Sequence, residues 1–257
     1  MRVAALVVCG LNGLASCRGA GPAADAALPA ASSPPGEPVA SIAPAAAAST
    51  IAPASAGSAA SPAPPVAPPR LEGFFESLPV AGHPDAFVSL PTGATGKRPV
   101  VVVIHGAGDR PDWQCGGWRR ATGERAFVVC PTGRFDPGSS TRTDRRYTHT
   151  GGPALLAYID ASLEALAARY PDYADTSAPL LAGFSLGSYA ILAIAIQHPD
   201  RFPRIALVEG ATRQLDDGRA RAFVKGGGLR VLFGCGQPGC AAEAMVAAAR
   251  LSRDGLP

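Results

Sequence analysis

Hydrophobic residues follow two regimes along the chain. From residue 71 to residue 257, short apolar runs alternate with longer segments of helical spacing, whereas residues 17–70 show neither period. Phe74–Val80 and Ala86–Pro91, joined by Gly82-His83-Pro84-Asp85, read as an opening antiparallel hairpin. Pro99–Ile104 is a β-branched run without polar alternation, as expected of a strand buried on both faces. A short helix is expected around Trp113–Gly123, a strand at Ala126–Cys130 and a polar loop over Pro131–Gly152. Pro153–Tyr170 carries Leu155, Leu156, Ile159, Leu163, Leu166 and Ala167 at helical spacing. Pro179–Phe184 is short enough for a buried strand, and Tyr189–Ile196 is long and alanine-rich enough for a buried helix. Arg204–Val208 and Leu229–Phe233 read as further strands and Ala241–Arg253 as a final helix. This alternation predicts an α/β domain: a doubly wound, mostly parallel sheet with helices on both faces and functional loops at the carboxyl ends of the strands.

The junction between the Pro179–Phe184 strand and the following helix reads Gly183-Phe184-Ser185-Leu186-Gly187, a G-x-S-x-G motif at a strand-to-helix turn. So tight a turn brings the positions two before and two after the serine together, where only hydrogen fits in place of a side chain. The bend lifts the Ser185 hydroxyl clear of the sheet, and the new helix directs its free amides at the same spot. Such a serine is a candidate nucleophile.

Composition divides the remainder. Residues 17–70 are dominated by Ala, Pro, Ser and Gly, too poor in large apolar side chains to offset ordering entropy, and read as an extended disordered linker. One folded domain remains, residues 71–257. Residues 1–16 begin Met1-Arg2, continue with the apolar Val3–Val8 and close on Leu14-Ala15-Ser16 before Cys17, the layout of a secretory signal. Leu-Ala-Ser-Cys resembles a bacterial lipobox. That resemblance implies cleavage before Cys17, a lipid on that cysteine and an exported, membrane-anchored lipoprotein on the periplasmic or cell-surface side. An ordinary signal peptide is the alternative.

Outside the signal and Cys17, four cysteines remain, and an even number in an exported domain points to disulfides. Three pairings are possible; Cys115–Cys130 and Cys235–Cys240 are favoured because each pair flanks one loop. The spacing lacks paired C-x-x-C motifs and no histidine lies close in sequence, which argues against a metal site. Net charge is only +3, with basic and acidic residues interspersed, so nothing points to nucleic acid.

His105-Gly106-Ala107-Gly108 after the Pro99–Ile104 strand, followed in order by the Ser185 motif, resembles the α/β-hydrolase superfamily over nearly all of residues 71–257, with small extracellular esterases and polyhydroxyalkanoate depolymerase-like proteins nearest in pattern. The resemblance implies hydrolysis of a small-molecule or polymeric ester through an acyl-enzyme on Ser185, without a cofactor. It also implies an oxyanion hole from the backbone N–H groups of Ala107 and Leu186, with Gly106 and Gly108 letting the His105 loop turn inward.

Superfamily order is serine, acid, histidine. The loop after Leu229–Phe233 contains no carboxylate, so Glu209, directly after Arg204–Val208, is the candidate acid; Asp216 and Asp217 look more like the polar face of a loop or helix. No histidine follows Glu209. His198, thirteen residues along a helix rising about 1.5 Å per residue, lies roughly 20 Å from Ser185. His83 belongs to the hairpin, His105 to the oxyanion loop, and His149 to a loop poorly suited to hold a base. The expectation is a C-terminally truncated hydrolase lacking its last strand and helix, inactive or weakly active as written. A non-catalytic binding lipoprotein on the same scaffold, or a serine peptidase or acyltransferase, are the alternatives. The Pro131–Gly152 loop is the expected pocket wall; its Arg142, Arg145, Arg146 and Tyr147 either meet a polar or acidic group of the substrate or, as the favoured reading, only face water.

Overall fold

A computed structural model describes residues 70–256. The signal at 1–16, Cys17 and the linker up to residue 69 lie outside the described residues. In chain order the domain consists of β1 (Phe75–Leu78), β2 (Ala86–Ser89), β3 (Arg98–Ile104), α1 (Pro111–Ala121), β4 (Phe127–Pro131), β5 (Arg134–Phe135), β6 (Tyr147–Thr148) and α2 (Pro153–Arg169). It continues with β7 (Ala174–Phe184), α3 (Leu186–Gln197), β8 (Arg204–Val208), α4 (Asp217–Lys225), β9 (Arg230–Gly234) and α5 (Pro238–Arg253).

Among the described residues the main sheet has seven strands in the order β1-β2-β4-β3-β7-β8-β9. The β1–β2 and β2–β4 pairs are antiparallel, and the other neighbours are parallel. This is the doubly wound α/β arrangement expected. Val102, Val103, Ile104, Val128, Val129, Leu181 and Ala182 are sealed from water at 0% exposure, which explains why the central strands show no polar alternation. One face of the sheet packs Val102 and Ile104 with Leu155, Ile159, Leu166, Ile191 and Phe223; the other packs Val101 and Val103 against Cys115 and Cys130.

Several boundaries differ from the sequence reading. Strand β7 starts at Ala174 instead of Pro179, because Ala174 and Asp175 already pair with Arg98 and Pro99 before a register shift. Pro179 falls in that irregularity, where its missing N–H breaks no ladder bond. Helix α4 had no strong apolar period to announce it; Asp216 caps it by accepting the Arg219 amide at 2.9 Å. The Pro131–Gly152 loop contains the β5–β6 ribbon, too short to show alternation. Strand β9 is half-exposed at the sheet edge, and Leu229, Met245 and Val246 near it are exposed.

Cys115 is bonded to Cys130, tying α1 to β4, and Cys235 to Cys240, tying the end of β9 to the first turn of α5. Two disulfides in one domain belong to an oxidising compartment, extracellular or periplasmic.

Candidate active site

The site lies where the winding direction reverses. From β3 the chain proceeds to β4 on one side and later to β7 on the other, so the crevice opens at the carboxyl ends of β3 and β7. Register fixes what meets there. Ile104 pairs with Gly183 and Phe184 with Val208, which sets the residues after them, His105, Ser185 and Glu209, side by side on three neighbouring strand ends.

Ser185 occupies φ 49° and ψ −117°, the strained conformation the motif predicts, and α3 starts at the next residue. Its amide donates to the Val208 carbonyl at 2.8 Å, and its own carbonyl accepts from the Ser188 amide at 2.9 Å. The Ser188 hydroxyl, fully buried, lies 2.7 Å from the Gly183 carbonyl and accepts the Val208 amide at 3.0 Å, pinning the bend to both strands. A Cβ at Gly183 would stand 2.6 Å from the Gly187 oxygen, and one at Gly187 2.8 Å from the His105 oxygen and inside the Ile104 carbonyl. The first turn of α3 is thus pressed backbone-to-backbone on the end of β3.

The His105–Gly108 segment closes the other side. A Cβ at Gly106 would sit 3.3 Å from the Ser185 Cβ, so that backbone lies directly against the serine. Gly108 has φ +59° and Ala107 between them is exposed. His105 is buried (1% exposed) with Nδ1 2.8 Å from the Gly106 oxygen and Nε2 2.9 Å from the Thr132 oxygen, so its ring braces the loop and does not face the serine hydroxyl.

A cavity of about 310 Å³ opens at Ser185, lined by Phe184, Tyr189, Glu209, Gly210, Thr212, Gln237, Cys240 and Glu243. Glu209, in the left-handed region at φ 51°, accepts the Gly236 amide through Oε1. The structure therefore unites Ser185 with the predicted acid. Tyr189, Gln237 and Glu243 were missed: the first follows the motif inside an apolar run, and the others lie on α5 and its N-cap, brought in by the fold and the Cys235–Cys240 bond. Asp216 and Asp217 serve α4, as its cap and in its first turn. The Pro131–Gly152 segment does not line this cavity. It buttresses the 105–108 loop instead, with Tyr147 bridged to Asp109 and the Arg146 guanidinium 3.4 Å from the Gly108 oxygen.

None of the four histidines lines the cavity. His198 caps the far end of α3, and His83 stacks on Tyr158, ring centroids 4.6 Å apart. The His149 ring lies 4.1 Å from that of His105, and its buried Nε2 has no hydrogen-bond partner among the described residues. Burial, and secondarily the neighbouring His105, hold the His149 imidazole well below its ordinary value of 6.5.

The sequence model of the family described as "Putative esterase" matches residues 80–214, just over half of the chain. The chain belongs to this esterase family. It is an esterase-type hydrolase, and the matched region contains the His105 loop, the serine turn and Glu209. No curated protein sequence matches the chain. Similar solved structures include poly(aspartic acid) hydrolase-1 from Sphingomonas sp. KT-1, with a TM-score of 0.45 and 16% identity over 63% of this chain and 72% of that one. The fluorophosphonate-binding serine hydrolase FphF of Staphylococcus aureus is similar at a TM-score of 0.45 and 16% identity, over 72% of this chain and 86% of that one. S-formylglutathione hydrolase from Agrobacterium tumefaciens has a TM-score of 0.42 and 16% identity, over 70% and 92%.

Gly187→Ala forces a methyl group into the β3 carbonyls and lowers the unfolding free energy by about 2–3 kcal/mol or more. Gly117→Ala, inside α1 with open space around it, raises it by about 0.5–1 kcal/mol in the same denaturant titration. For His149 the folded domain resists a proton that the unfolded chain accepts. Its contribution to stability is complete above pH 6.5, the unfolded value, and is lost as pH falls below it. Unfolding free energy should drop by about 1 kcal/mol between about pH 7.5 and 5.5, and His149→Leu should flatten that limb.

Proposed function

We propose that this esterase works through an acyl-enzyme on Ser185. The observation that carries the reading is the strained serine at the strand–helix bend, sharing one cavity with Glu209 and backed by the 105–108 backbone. Ser185 Oγ bonds to the ester carbonyl carbon, the bond to the alkoxy oxygen breaks, and the hydroxyl proton leaves with the alcohol; water then reverses these steps to release the acid. The amides of Ala107 and Leu186 stabilise the oxyanion, the second at the positive end of α3. Glu209 is the carboxylate of the machinery, set to orient an imidazole and stabilise its charged form.

Because no histidine lines the cavity, turnover by these residues alone rests on the nucleophile and oxyanion donors, about 10³–10⁴-fold above water in comparable cases. The same observation favours a second reading, a binding domain on a hydrolase scaffold. p-Nitrophenyl acetate followed by intact-mass analysis separates the two. Catalysis gives an acetyl adduct on Ser185 that is absent in Ser185→Ala, and added imidazole accelerates turnover of the wild type beyond its background on that variant. A folded protein that forms no adduct and gains nothing from imidazole is a binding domain.

We also propose that the domain is exported and tethered through a lipid on Cys17, a reading the two disulfides support by their compartment. Metabolic labelling with a fatty acid should mark the wild type and not Cys17→Ala; an unlabelled wild type, secreted free of membranes, leaves an ordinary signal peptide.

A further inference from the structure

The cavity chemistry selects among esters. Its lining includes two carboxylates, Glu209 and Glu243, and no basic side chain. Glu209 receives one hydrogen bond, from the Gly236 amide to Oε1, and has no cationic partner among the described residues. Glu243 is oriented by the Thr212 hydroxyl, which donates to Oε2 at 2.9 Å, and by Arg213, whose Nε lies 2.8 Å from Oε1. The Arg213 side chain is 78% exposed, so solvent screens its charge more than that of the carboxylate it approaches.

An aromatic face completes the set. Tyr189 stands one helical turn beyond Ser185, 45% exposed, with its ring against Gly210, where an added Cβ would lie 3.2 Å from Cε2. The N-termini of α3 and α5 open on the same space and oppose these groups. Each supplies about half a positive charge, acting over one turn, less than two full negative charges.

Carboxylates beside a half-exposed phenol ring form a site for an organic cation, which gains Coulomb attraction from the first and quadrupole attraction from the second. Resting on the Ser185 reading, we propose that the substrate is a small ester, one half of which carries an ammonium group seated between Glu243 and the Tyr189 ring, while Glu209 keeps its place beside Ser185 and adds to the negative charge of the cavity. A volume of about 310 Å³ suits a short substrate, near the lower limit of ligand cavities.

The test separates cation recognition from acyl transfer. Binding of choline and of its uncharged isostere 3,3-dimethylbutanol is measured by calorimetry on the full chain, and Ser185 acylation by their acetate esters is measured by intact mass. Choline should bind about tenfold tighter than the isostere, equivalent to about 1.4 kcal/mol. The advantage should shrink in Glu243→Gln, in Tyr189→Leu and on raising salt to about 0.5 M. Equal affinities, or a preference unchanged in both folded variants, overturn the proposal even if both esters acylate Ser185. Preferential choline binding without acylation by either ester keeps the cation site and overturns the acyl-enzyme reading together with the claim that the cation belongs to a substrate.

Discussion

The contact on which the site depends is backbone against backbone. The first turn of α3 rests on the end of β3, with Gly187 against the Ile104 and His105 carbonyls, while Gly183 faces Gly187 across the bend. Gly210 brings the neighbouring loop within reach of the Ser185 carbonyl, where a Cβ would stand at 2.8 Å. Three strand ends converge because glycine occupies each closest approach. Holding Ser185 at positive φ costs on the order of 1–3 kcal/mol. The buried β3, β7 and β8 strands and the Ser188 hydroxyl over-determine the bend, so the strain persists and its product is a partly buried serine at a helix N-terminus, bordering the cavity.

Around this fixed point the domain distributes support unequally. On the β4 side, a dense polar network stiffens the chain just after the 105–108 loop: Arg110 bonds Asp112 and Asp144, Arg146 bonds Asp144, and both guanidinium groups lie over the Trp113 ring at 5.0 and 4.3 Å. Asp144 is held below the usual carboxylate range by its hydrogen bonds and charge pairing with Arg146 and Arg110. On the β8–β9 side the wall is built from short loops, the Cys235–Cys240 bond and the start of α5. The first side holds the 105–108 backbone against Ser185; the second carries the side chains that line the cavity. An oxidising compartment is thereby coupled to the shape of the cavity, since one disulfide supplies part of its wall.

Local chemistry made much of this legible in one dimension. The β-branched run at 100–104, the helical period of 153–170 and the glycine-serine-glycine turn each obey a short-range rule, so the α/β class, Ser185 and its two flanking glycines follow from the chain order. The spacing of the cysteines favoured the bonds that form, because each closes a loop between adjacent elements. The position of Glu209 was legible because a carboxylate directly after a parallel strand emerges at the carboxyl edge of the sheet, beside the serine.

What tertiary structure decided depends on contacts remote in sequence, for which no periodicity exists. The Pro131–Gly152 segment reads as a polar loop, the usual wall of a pocket, but its β5–β6 ribbon and the Tyr147–Asp109 bridge turn it into a brace for the loop after β3. Tyr189 reads as the start of a buried helix, but in the fold it is exposed and lines the cavity next to Gly210. Glu243 is one polar residue in an alanine-rich helix until the packing of α5 brings it opposite Thr212, 31 positions away. The place of Ser185 at its bend could be read from the chain because the constraint on it is steric and local, whereas the charge and shape of the cavity arise where separate elements meet.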